Sequence, residues 1–175
     1  LEVGAILGLG GEELLAQGMG RDLARDKWIL RALVELRSRW ATPWLLRDPE
    51  NSVEDLARVG DPAAIEPLAA LLPRRPEEVG EALARFRDAD LLAAASRQSN
   101  PTWFVAIPCP AVHRFLLDRL PDPRILDAAR RSGPAGADFL LLAGEFAMLP
   151  KRGLRETVLR GLRQESVRPQ ALKAI

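Results

Sequence analysis

The residues with the most reactive side chains stand together in Cys109-Pro110-Ala111-Val112-His113. Positions four apart share a helix face, so a thiol and an imidazole at this spacing could form a thiolate nucleophile with its base, or half of a zinc site. Cys109 lies between Pro108 and Pro110, at or before a helix start, and the chain has no second cysteine or histidine to complete a zinc set. A small buried cysteine beside an ordinary histidine is the simpler account. No catalytic residue, metal ligand or cofactor is assigned.

Other candidate chemistry has an equally plain alternative. The carboxylate pairs Glu12/Glu13 and Glu77/Glu78, and Asp88 with Asp90, fall in the first turns of expected helices, where negative charge suits the helix dipole. Gly4, Gly8, Gly10, Gly11, Gly18 and Gly20 crowd the opening, yet the position that would complete a dinucleotide fingerprint after Gly8 and Gly10 is Glu13. A flexible or capping entry segment suffices. No phosphate loop, catalytic triad or nucleophile elbow is present.

Trp28, Trp40 and Trp44 lie among Arg37, Arg39 and Arg47. Aromatic rings interleaved with arginine can stack on single-stranded nucleic acid, although core or cap roles for the tryptophans are the simpler reading. Near the end, Lys151, Arg152, Arg155, Arg160, Arg163, Arg168 and Lys173 face only Glu145, Glu156 and Glu165. Arg152, Arg155 and Arg163 share one helix sector and could hold phosphate; a solvated face with pairs such as Arg152–Glu156 is the alternative.

These residues need elements to position them. Ile29, Leu33, Leu36 and Trp40 recur at helical spacing, which predicts a helix over 21–40 that Pro43 ends. After the turn-rich 48–52, a unit recurs. Leu56, Leu83 and Leu117 are each followed by Arg two residues later (Arg58, Arg85, Arg119) and Asp five later (Asp61, Asp88, Asp122). Small or apolar residues then fall at offsets three, four and seven from each Asp: Ala64, Ile65 and Leu68; Leu91, Leu92 and Ala95; Ile125, Leu126 and Ala129. A worn copy starts at Phe146. A period near thirty residues suits a helix-turn-helix repeat in which each Asp caps the second helix, with Pro62 and Pro123 at its first position.

The stretch Leu56–Phe86, with V-G-D-P-A-A-I-E-P-L-A-A-L-L and then P-E-E-V-G-E-A-L-A-R-F, resembles the short bacterial HEAT-like repeats, including those of phycobilisome-lyase-like proteins. The likeness loosens toward residue 165. Three departures stand out: Gly80 replaces the basic residue these repeats often carry there, Leu72-Pro73-Arg74-Arg75-Pro76 stands in place of their Asp-rich turn, and Ser99–Pro108 is an insertion. The expected architecture is all-α, a right-handed HEAT/ARM-like superhelical solenoid of about five antiparallel helix pairs. A helical cap over 1–50 precedes repeats at about 56–82, 83–116, 117–145 and 146–175. The resemblance implies a curved binding scaffold.

Composition narrows the function classes. Apolar residues make up 47% of the chain, enough for a core, and 25 basic against 24 acidic residues leave a net charge of +1 with no global pull on nucleic acid or an anionic membrane. The lone Cys109 favours a reducing compartment, and neither a membrane span nor an export signal is visible, so a cytoplasmic setting is expected. Starting at Leu1 without methionine and stopping inside a helical pattern, the chain reads as a piece of a longer protein.

The leading expectation is a non-enzymatic protein–protein interaction scaffold that receives a protein or peptide on its inner face, with Trp40, Trp44, Arg47, Trp103 and Arg114 as candidate contacts. One alternative is a nucleic-acid-binding helical-repeat protein with a DNA-glycosylase-like groove, drawing on Arg37, Arg39, Arg152, Arg155 and Arg163. Another, implied by the resemblance alone, is a bilin-lyase-like enzyme.

Overall fold

A computed structural model of the chain describes residues 11–20, 23–120, 122–144, 161, 163 and 168–173. Among them every regular element is helical. No helix among the described residues is long and apolar enough to cross a membrane. The chain divides into two compact units, Leu1–Leu68 and Ala69–Ile175.

The first unit holds α1 (Gly11–Gln17), α2 (Leu23–Glu35), a 3-10 turn (Arg39–Ala41), α3 (Thr42–Leu45) and α4 (Val53–Val59). α5 (Ile65–Ala69) ends at the boundary. α2 packs on α4 and on the 3-10 turn, burying Ile29, Leu33 and Val34 against a core that includes Ala41, Leu45, Val53 and Leu56. The helix expected over 21–40 stops early, at Glu35. Arg37 takes a left-handed φ of 53°, which a helix cannot continue through. Ser38 then turns extended, and its hydroxyl accepts from the Trp40 N–H at 3.3 Å. The stripe breaks with the helix, so Leu36 and Trp40 are left 41% and 36% exposed. Pro43 does not end a helix; it sits in the first turn of α3, where its missing N–H leaves nothing unbonded.

The recurrent Asp turn is well formed at its first copy. Gly60 closes α4 in the left-handed conformation, φ 71°, that glycine adopts without a Cβ penalty, and its N–H donates to the Leu56 carbonyl at 3.0 Å. Asp61 next accepts from the Ala63 N–H at 3.0 Å, and Pro62 opens the following helical segment. Ala64, Ile65 and Leu68, at the expected offsets, are all buried.

The second unit contains α6 (Pro76–Leu83), α7 (Asp88–Arg97), a 3-10 segment (Thr102–Ala106), α8 (Pro110–Leu117), α9 (Pro123–Arg131), α10 (Gly133–Ala143) and α11 (Arg168–Lys173). Asp122 repeats the cap, accepting from the Arg124 N–H at 2.9 Å. Asp88 does not. It is the first residue of α7, Arg87 occupies the cap position without a side-chain bond, and Arg87 pairs with Asp90 at 2.7 Å. The offset pattern holds at three and seven, with Leu91, Ala95, Ile125 and Ala129 buried, while Leu92 and Leu126 at offset four are half-buried.

The segment between α7 and α8 supplies much of this unit's core. Phe104, Val105, Ala106 and Ile107 are buried, and the 102–106 segment packs against α6, α8, α9 and α10. α10 also packs on α6, which lies far upstream in the sequence, so this unit does not stack helix pairs on their immediate neighbours alone.

Candidate functional site

The face of α2 turned away from the core carries Trp28, the most exposed large apolar side chain among the described residues. Trp28 precedes the buried Ile29, so it lies about 100° around the helix from the buried stripe, and it is 74% exposed. Ala32, one turn later, continues its row, while Lys27, Arg31 and Glu35 form the neighbouring row at the same four-residue spacing. These five residues line a shallow groove of about 380 Å³. A second groove, about 360 Å³, lies on the other side of the Lys27–Arg31–Glu35 ridge and is bounded by Asp55 and Arg58 of α4.

Charge along the ridge is uneven. Glu35 pairs with Arg58 at 2.7 Å, both side chains remaining about half exposed. Lys27 and Arg31 form no ion pair among the described residues. The surface therefore offers a bare indole, a small alanine beside it, two uncommitted cations and a carboxylate whose exposed pair holds it only weakly. Trp28 was visible in the sequence among the aromatic residues of the N-terminal stretch. The signal marking it as the exposed one is its place on the helical wheel, off the stripe of Ile29 and Leu33.

The other expected contacts are differently placed. Trp40, Trp44 and Arg47 belong to the first unit, Trp103 and Arg114 to the second. Trp44 is half-buried and its ring is covered by the Arg47 guanidinium at 3.8 Å; Arg39 lies 5.9 Å from the Trp40 ring centroid. Trp103, in the 102–106 segment, is half-buried under Arg131 at 5.2 Å. Each of these rings already stacks with a cation of its own chain, which leaves less face for a ligand than the arginine–tryptophan spacing suggested. Arg114 is exposed on α8, and Arg37 is exposed at the left-handed turn. Arg163 is exposed, whereas Arg152 and Arg155 lie outside the described residues.

The Cys109–His113 pair is packed into the second unit. Cys109 is the cap residue of α8 and 2% exposed; burial raises its thiol above the ordinary value, and the Asp88 carboxylate adds to the rise. The thiolate is therefore disfavoured. His113 is 6% exposed, its Nε2 lies 3.2 Å from the Val105 carbonyl, and its ring meets Phe139 edge-on at 5.5 Å. Burial lowers its pKa, against weaker raising effects from the Val105 carbonyl and Asp138. A neutral imidazole donating to Val105 fits this geometry and ties α8 to the 102–106 segment. Among the described residues no group of three or more His, Cys, Asp or Glu side chains is gathered as a metal site would require.

Comparison of the chain with protein-family models, with curated proteins and with solved structures finds no match.

Proposed function

We propose that this chain is a non-enzymatic protein-interaction scaffold built from HEAT-like helix pairs, and that it engages its partner through the outward face of α2. The carrying observation is Trp28, 74% exposed beside Ala32, Lys27 and Arg31 in a groove. Tryptophan and arginine are the residues most enriched among interface hot spots, and an apolar patch with a charged rim marks a contact surface. The repeat reading draws support from the caps at Asp61 and Asp122 and from the buried residues three and seven positions beyond each recurrent Asp. A cytoplasmic setting accords with the lone, buried thiol.

Nucleic-acid binding through the same stretch has less in its favour. Leu1–Leu68 carries 12 acidic against 8 basic residues, the reverse of what phosphate neutralisation needs.

The test is capture from nuclease-treated and untreated lysates of the source cell, using the chain and its Trp28→Arg variant as parallel baits. A protein retained after nuclease and lost with Trp28→Arg is the expected result. Capture that disappears with nuclease transfers the reading to nucleic acid, and capture unaffected by Trp28→Arg removes α2 as the contact face.

A further inference from the structure

The ridge and groove of α2 are self-complementary, and we infer that the partner this face fits is a second copy of the chain, docked α2 against α2 in antiparallel orientation. The inference rests on reading α2 as a protein contact surface and names the occupant.

The complementarity is one of both shape and charge. Along the helix the exposed ridge runs Lys27, Arg31, Glu35, positive at one end and negative at the other. Beside it the apolar row runs from the largest side chain, Trp28, to a small one, Ala32. A two-fold axis near the middle of these residues reverses one copy against the other, as isologous dimers require. Lys27 then faces Glu35 of the second copy, and Trp28 falls on Ala32 of the second copy, a small, half-buried residue that leaves room for an indole. Both contacts occur twice.

The same register sets Arg31 opposite Arg31 of the second copy, a like-charge contact at the axis that each guanidinium relieves by turning aside towards Trp28 of the second copy. There its guanidinium can cover the ring, the arrangement this chain already uses where Arg47 covers Trp44 at 3.8 Å. Arg31 has no ion pair among the described residues that such a move would break. The Glu35–Arg58 pair at 2.7 Å is no obstacle, since exposed pairs contribute little and a carboxylate accepts from more than one cation.

Size sets the strength. The 13 residues of α2 span about 20 Å, so a contact confined to this helix falls at the small end of specific interfaces, below about 1,200 Å². A reversible dimer in the micromolar range is expected, not a permanent one.

Sedimentation velocity of the purified chain, taken to several hundred micromolar, reads the monomer–dimer equilibrium directly. The expected result is a concentration-dependent dimer whose dissociation constant rises at least about 10-fold in Trp28→Arg, as for a central aromatic hot spot. Circular dichroism melting of that variant shows whether its fold is intact. Charge reversal then tests orientation. Lys27→Glu and Glu35→Lys chains should each dimerise poorly alone, from like-charge contacts, and dimerise with each other when mixed, because both ends are then opposite in sign. A chain that is monomeric throughout, a dimer indifferent to Trp28→Arg, or two charge variants that fail to pair when mixed would each overturn the inference. Monomeric behaviour combined with Trp28-dependent capture of a different protein defeats the dimer and leaves the interaction reading in place; loss of both defeats both.

Discussion

Gly80, in the middle of α6, lies directly on the backbone carbonyl of Ala106, so that a Cβ at position 80 would collide with it. Ala106 belongs to the buried run 104–107 that follows α7. The 102–106 segment fills the space over α6, and α6 accommodates it by having no side chain at position 80.

This contact is sensitive to a single methyl group. Gly80→Ala should lower stability by about 1–3 kcal/mol, because the atom it meets is backbone and cannot rotate away. Phe104, 1% exposed in the same segment, should cost about 3–5 kcal/mol on truncation to alanine. Trp28→Ala, at an exposed site, should stay within about 0.5 kcal/mol. Urea unfolding of the four proteins checks all three, and a Phe104→Ala chain as stable as the parent would remove the segment from the core.

The three recurrent aspartates should separate on mutation. Asp61 accepts from the Ala63 N–H and Asp88 caps nothing, so Asp61→Ala is expected to lose about 1 kcal/mol and Asp88→Ala clearly less. Thermal melts of the two variants, side by side, decide it. Equal losses would mean that the contact of Asp88 with the Cys109 thiol contributes as much as the Asp61 cap.

His113 gives stability a dependence on pH with a definite sign. Its folded-state pKa is lowered from 6.5 by burial, so the unfolded chain takes up the proton first as the medium is acidified. Stability from this group is intact above pH 6.5 and falls as pH drops below it, at no more than about 1.4 kcal/mol per pH unit. As the chain has one histidine, His113→Gln isolates the effect from the carboxylates common to both proteins. The stability gap between parent and variant should narrow from pH 7 to pH 5; a gap constant over that range would contradict the assignment.

Cys109 should behave as a protected thiol. With 2% exposure and a pKa raised by burial and by Asp88, its reaction with a thiol reagent at pH 8 should be slower in the folded chain than in urea by about 1000-fold or more, opening being required first. Rapid labelling of the folded chain would reinstate it as a nucleophile candidate.

Much of the local structure was legible in the sequence. The helical class, the turns at Asp61 and Asp122, and the burial of Ala64, Leu68, Leu91, Ala95, Ile125 and Ala129 follow from spacing and capping chemistry, which depend on neighbours a few residues away. Pro43 was misread for the same local reason: a proline ends a helix or begins one, and the choice was made by the left-handed turn at Arg37. Asp88 has the spacing of a cap, but α7 begins one residue earlier than a cap there would allow.

The sequence by itself determined that this chain is helical, where most of its turns fall and which positions of each Asp-led helix are apolar, because helix periodicity and capping are short-range. Only the tertiary structure decided that Phe104, Val105, Ala106 and Ile107 are core, that Trp44 and Trp103 lie under arginines, and that Trp28 alone of the tryptophans stands 74% exposed on an open helix face. Those outcomes depend on which surfaces meet across tens of residues, and the spacing of residues along one helix carries no record of what packs against it.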